Sequence, residues 1–153
     1  MSDFPVYLAT IEMKPEILEL LREMHEEVDL FPYDYDEAND HISKMLNREG
    51  GIIGVMIGDG RLEATVGLRL DRLWYSKRWF LSEMFIFVRP ELRKSTRAKC
   101  LLQFAKKCAE EMEIPLLLGI TSNIRTEAKR KLYERQFDPM GSFFVHNKDC
   151  IGA

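Results

Sequence analysis

Apolar positions change their spacing repeatedly along this chain, and each change marks an element. Pro5 to Ile11 form a short apolar run that predicts a first strand. Ile17, Leu20, Leu21, Met24 and Val28 then fall on one face of a helix that Pro15 can open. The stretch Phe31 to Glu37 breaks the period, and Asp34 with Glu37 three residues on reads as a capping box for a second helix. That helix is expected to run to about Arg48 and to stop at Gly50 and Gly51. Gly51 to Ile57 predicts a strand, Gly58 to Gly60 a tight turn, and Arg61 to Leu70 its antiparallel partner.

Asp71 to Trp79 link this hairpin to Phe80–Val88, a strand apolar on both faces and so expected near the sheet centre. Ala98, Leu101, Leu102, Ala105, Cys108, Ala109 and Met112 return to helical spacing. Ile114 to Ile120 predicts another buried strand, Thr126 to Arg135 a helix, and Ser142 to His146 a closing strand. Together these elements predict an α+β fold, a mixed α/β sandwich with helices on both faces of the sheet. Parallel strands are expected around the crossover helix that begins near Ser95. The order excludes a helical bundle and a pure β-barrel.

The chain has 153 residues, the size of one domain, and residues 1–153 are read as one. With 46% hydrophobic and 31% charged residues, it can bury enough apolar surface to fold. Asp3 stands where a signal peptide would carry positive charge, and no apolar run approaches a bilayer's thickness, so a cytoplasmic location without membrane contact is expected. Cys100, Cys108 and Cys150 are an odd, sparse set that reads as reduced thiols. His25, His41 and His146 show no metal-ligand spacing, and no metal is expected. The net charge of -3 conceals a split. Residues 1–50 hold 4 Lys and Arg against 13 Asp and Glu, and the rest hold 18 against 12. Two ligands of opposite sign suit that asymmetry.

The basic residues concentrate where the central strand gives way to the long helix. Arg89, Arg93, Lys94, Arg97 and Lys99 surround a helix start, whose unpaired N–H groups and dipole favour an anion such as a pyrophosphate. Lys99, one turn into the helix, reads as a solvated side chain. Arg93-Lys94-Ser95-Thr96-Arg97-Ala98, with Val88-Arg89-Pro90 before it and Leu101-Leu102 after it, resembles the pyrophosphate motif of the GNAT superfamily of N-acetyltransferases. The resemblance implies a GNAT-like fold with a mostly antiparallel mixed sheet and acetyl-CoA as cosubstrate. It also implies a loop from Arg93 to Ala98 that wraps the pyrophosphate with backbone amides, with Arg93, Lys94 and Arg97 side chains assisting. Thr96 stands where the family has glycine. Its hydroxyl either donates to a phosphate or crowds the backbone approach.

The same resemblance implies the chemistry. An amine acceptor must lose a proton before it attacks a thioester, because an ordinary ammonium has a pKa of ~10.4. Glu83 interrupts the apolar strand Phe80–Val88, where a charge is costly unless it faces a cleft or a partner. It is similar to the family's strand glutamate that acts as general base, with a structural pairing to Arg69 as the other reading. Tyr133 matches the family tyrosine that protonates or hydrogen-bonds the departing sulfur, with an ordinary core tyrosine, hydroxyl outward, as the other reading; "YERQF" lacks the family's glycine and brings Phe137 one residue closer. Asn123, after the fifth strand, is implied to hold either the pantetheine or the chain itself. Backbone N–H groups near Phe85 to Phe87, and Phe87 and Val88 themselves, are implied to position the pantetheine arm for direct attack without a covalent enzyme intermediate.

The first two helices and their link would wall the acceptor groove in this fold. Their acids, Glu23, Glu26, Glu27, Asp29, Asp34, Asp36, Glu37 and Asp40, with Phe31, Pro32, Tyr33 and Tyr35, imply a cationic acceptor: a polyamine, an aminoglycoside-like molecule or a basic peptide end. Trp74, Tyr75 and Trp79 suit an opposite wall or a homodimer contact. Two other classes stay open. One is a retired acetyltransferase fold acting through CoA or protein binding. The other is a nucleic-acid-binding module using the basic turn and Asn123 to Arg135, against which stand the acidic balance and the lack of any nucleic-acid signature.

Overall fold

The computed structural model describes residues 4–28, 30–120 and 125–152. Its elements in chain order are β1 (Tyr7–Leu8), α1 (Lys14–Val28), α2 (Tyr35–Leu46), β2 (Gly51–Gly58), β3 (Arg61–Asp71), β4 (Phe80–Val88), α3 (Arg97–Met112), β5 (Leu116–Leu117) and α4 (Thr126–Glu134). The strands lie side by side in sequence order, antiparallel from β1 to β4, with β5 parallel to β4. The mixed, mostly antiparallel sheet expected from the sequence is therefore present, and α3 is the crossover that a parallel pair requires.

Two apolar clusters sandwich the sheet. On one face Ile17, Leu20 and Leu21 of α1 and Ile42, Met45 and Leu46 of α2 pack against Ile53, Val55, Phe85 and Phe87. On the other, Leu101, Ala105 and Ala109 of α3 pack against Val66, Leu68, Leu81 and Val88. Each large buried side chain contributes about 1.5–3 kcal/mol through the area it removes from water. The caps agree with the sequence as well. The Asp34 carboxylate accepts from the Glu37 N–H at 3.0 Å, and Asp59 and Gly60 turn the β2–β3 hairpin in the left-handed region.

Four expectations are corrected. The first strand is paired only at Tyr7 and Leu8, and a 3-10 turn at Ile11–Met13 follows it. α2 stops at Leu46 because Arg48 turns left-handed, at φ 62°. The run Ile114 to Ile120 supplies only Leu116 and Leu117 to the sheet, and Ser142 to His146 form no strand at all. Phe143 and Phe144 are 85% and 94% exposed. Their β-forming side chains have no ladder to extend, because β5 itself is cut short.

The cause of that shortening lies in β4. Leu68 pairs with Glu83 and Gly67 with Phe85, so Met84 is an extra residue, a β-bulge. β5 pairs with Leu81 and Ser82 and goes no further, so the parallel ladder ends where the bulge begins. Gly67 makes the irregularity possible: a Cβ there would lie 2.3 Å from the Phe85 ring.

Candidate active site

Where β5 leaves β4, the molecule opens. A groove of about 850 Å³ is lined by Met84 to Val88 of β4, by the α1–α2 link, by the start of α3, by Gly119 and Ile120, and by α4. Among the described residues, β4 has no strand partner beyond Ser82 on the side away from β3. Backbone hydrogen-bonding groups of a central strand therefore face a cleft instead of a neighbour.

Glu83 sits at the bulge, and its Oε1 accepts a 2.8 Å hydrogen bond from the Tyr133 hydroxyl of α4. Burial pushes the Glu83 carboxyl up to about 7, against the opposing pull of the Tyr133 hydroxyl and the Lys129 ammonium. Tyr133 is pushed well above the ordinary phenol range, first by burial and then by the Glu83 charge and hydrogen bond, so it stays a donor at any physiological pH. Lys129 lies one helical turn from Tyr133 and also lines the groove. Burial pulls its ammonium down, as do Arg93 and Arg125, while Glu27 and Glu83 oppose them. Arg69 instead faces Asp71 at 3.3 Å, so the structural pairing of Glu83 with Arg69 is not formed.

The basic turn divides into two sets. Arg89 is 8% exposed and donates to the Leu62 carbonyl at 2.8 Å and to Glu23 at 2.6 Å. Arg93 donates to the Val88 carbonyl at 2.9 Å, pairs with Glu27 at 2.8 Å and lies over the Phe87 ring. Arg97 pairs with Glu63 at 2.9 Å and stacks on Phe4. These three guanidiniums brace the turn from below. Lys94 and Lys99 form no ion pair among the described residues, and Lys99, expected as a merely solvated side chain, stands on the groove wall.

Above the bracing, the turn presents its backbone. Ser95 Oγ donates to the Leu92 carbonyl at 2.6 Å and accepts from the Arg97 N–H at 3.3 Å. Thr96 precedes α3 at φ -88°, a conformation open to any residue, and makes no side-chain cap. The threonine in place of glycine thus strains nothing in the backbone. The N–H groups of the first turn, around Ala98 and Lys99, have no partner within the helix and sit at the groove with the positive end of the dipole.

Sequence reasoning missed three contributors: the Met84 bulge, the bracing glutamates of the three arginines, and Lys129. A single i, i+4 relation to Tyr133 was the only signal for Lys129. Asn123 lies outside the described residues. Among the described residues no group of three or more His, Cys, Asp or Glu is placed to hold a metal ion, and no helix is long and apolar enough to cross a membrane.

A bulged central strand parted from its parallel neighbour, with a helix start above the gap, defines the GNAT acetyltransferase fold, and this chain has it. A probable acetyltransferase shares the fold with TM-score 0.75 and 22% identity over 94% of this chain and 95% of that one. A predicted acetyltransferase from Clostridium acetobutylicum, solved with acetyl-CoA, superposes with TM-score 0.76 at 14% identity, covering 94% and 96%. A ribosomal-protein-alanine N-acetyltransferase from Brucella melitensis gives 0.72 at 20% identity, covering 95% and 99%. No protein-family model and no curated protein sequence matches the chain.

Proposed function

We propose that the protein is an acetyl-CoA-dependent N-acetyltransferase that acetylates a primary amine, cationic in water, with Glu83 as base and Tyr133 as hydrogen-bond donor to the departing sulfur. The observation that carries this reading is the Glu83–Tyr133 pair at the bulge, 2.8 Å apart, where the free edge of β4 meets the groove. The presence of acetyl-CoA in one structure of the same fold supports it.

The residues present fit the cosubstrate. The first-turn N–H groups of α3 and the Lys99 ammonium suit its pyrophosphate, with the exposed Lys94 of the same turn in reach of the solvent side, and the unpaired edge of β4 from Met84 to Val88 suits the amides of its pantetheine arm. Acetyl-CoA supplies an activated acyl group. Glu83, pushed up to about 7 by burial, titrates in the neutral range and so is poised to take the proton that an ammonium must lose. Tyr133 keeps its proton, and in this reading its hydroxyl turns from Glu83 to donate to the departing sulfur. Orientation within the groove and polarisation by backbone N–H groups account for the rest of the acceleration.

Calorimetric titration with acetyl-CoA, repeated on Thr96→Asp, tests the reading. Aspartate is a good N-cap and preserves α3, but it sets a negative charge where the pyrophosphate belongs. One-to-one binding that weakens by about tenfold or more in the variant is the expected result. Failure of the folded wild-type protein to bind overturns the proposal.

A further inference from the structure

The acids of α1 and α2 were expected to make the acceptor wall a cation trap, and the structure uses most of them elsewhere. Glu23 pairs with Arg89 at 2.6 Å and Glu27 with Arg93 at 2.8 Å. Glu26 faces Arg22, Asp40 faces Lys44, and Glu37 lies 3.8 Å from His41. Asp34 caps its own helix. The groove is in fact lined by five cationic side chains, Arg93, Lys99, Arg125, Lys129 and Arg135, against three carboxylates, Glu27, Asp34 and Glu83. Glu27 and Arg93 neutralise each other and Lys99 belongs to the proposed pyrophosphate site, which leaves Arg125, Lys129 and Arg135 against Asp34 and Glu83.

What the α1–α2 wall does offer is carbon. Met24, Phe31, Tyr33 and Ile42 line it, and Met84 and Phe85 close it from the bulged strand. Phe31 is 64% exposed, and the Tyr33 ring leans on His25 with centroids 5.3 Å apart. A wall of this kind gains by covering apolar rings and offers a second or third positive charge only Asp34, which already caps its own helix.

We infer that the acceptor is a monoamine carried on an aromatic or branched apolar body, an arylalkylamine in chemical type, seated against Met24, Phe31, Tyr33 and Ile42. Polyamines and aminoglycoside-like polycations are poor acceptors, because each additional ammonium meets the groove's excess of positive side chains. The inference rests on the proposed acetyl transfer and gives its acceptor side a chemistry.

Thiol release from acetyl-CoA is measured with the full chain, using 2-phenylethylamine and tryptamine against spermidine and kanamycin. Acetyl-CoA binding is measured separately by calorimetry. The expected result is a kcat/KM for the aromatic monoamines at least about tenfold above that for the polycations. Phe31→Ala should raise the monoamine KM several-fold while leaving acetyl-CoA affinity unchanged. Equal or better use of spermidine or kanamycin, or acetyl-CoA binding without turnover of either monoamine, overturns the inference and leaves the cosubstrate assignment intact. No acetyl-CoA binding at all brings down both.

Discussion

The Tyr133 hydroxyl donates a 2.8 Å hydrogen bond to the Glu83 carboxylate, joining α4 to the bulge of β4 across 50 residues of sequence. Neither group is in its ordinary protonation range. Burial raises both, and the hydrogen bond raises the phenol while it lowers the acid. The pair therefore holds its proton on the tyrosine and leaves the carboxylate to titrate near neutrality.

An ascending limb in kcat/KM with an apparent pKa near 7 is expected from Glu83. Glu83→Gln should abolish that limb and lower the rate by about a hundredfold or more. Tyr133→Phe removes an interaction that lowers the Glu83 pKa, so the remaining limb should move to higher pH. A pH–rate series on the three proteins checks all of this, and an unmoved limb in Glu83→Gln would assign the base elsewhere.

Stability should carry the same signature. The folded pKa of Glu83 lies above the ordinary glutamate value of 4.5, so its contribution is fully present below that value and is lost as pH rises through about 7. Relative to Glu83→Gln, the wild type should lose on the order of 3 kcal/mol across that window and nothing further above it. Urea unfolding at a series of pH values reads the difference directly.

Arg97 and Glu63 are 14% and 13% exposed and 2.9 Å apart, so removing one leaves the other charged and poorly solvated. Arg97→Ala or Glu63→Ala should each cost about 3 kcal/mol, and the double variant should cost clearly less than the two together. Lys94→Ala, on an exposed side chain, should instead weaken acetyl-CoA binding with no change in unfolding midpoint. Denaturant unfolding and calorimetry separate the two effects.

Gly67→Ala places a methyl group on the Phe85 ring, which packs in the core beneath α1 and α2. A loss of about 1–3 kcal/mol is expected, with partial recovery when Phe85→Leu is added. Simple loss of backbone freedom would favour alanine at this strand position. A stabilised Gly67→Ala would therefore show that the ring contact does not constrain the bulge.

The strand and helix periods, the Asp34 cap and the turn at Asp59 and Gly60 were legible in the sequence because each depends on near neighbours. So was the oddity of a glutamate at position 83 within an apolar strand. The bulge was not legible, since Met84 looks like any other apolar strand residue until the register with Gly67 and Leu68 is known. The roles of the basic turn were partly misjudged for a related reason. Arg93 and Arg97 look free in one dimension, and only folding brings Glu27 and Glu63 beneath them. The same partners change the acidic wall of α1 from a lure for cations into the other half of the bracing. Ser142 to His146 misled in the opposite direction, having strand chemistry without a strand beside it.

Because β5 accompanies β4 for only two residues, the core of this molecule has one wet edge. Amides of β4 beyond Ser82 that face away from β3 are expected to exchange with water as readily as those of a loop, although the side chains of Phe85 and Phe87 beside them are buried. A guest carrying amides in line occupies that edge as a strand would and shields it from exchange. Protection would then spread from Phe85 to Phe87 through the ring at Gly67 into β3, so filling the groove stiffens the middle of the sheet as well as the lips of the cleft.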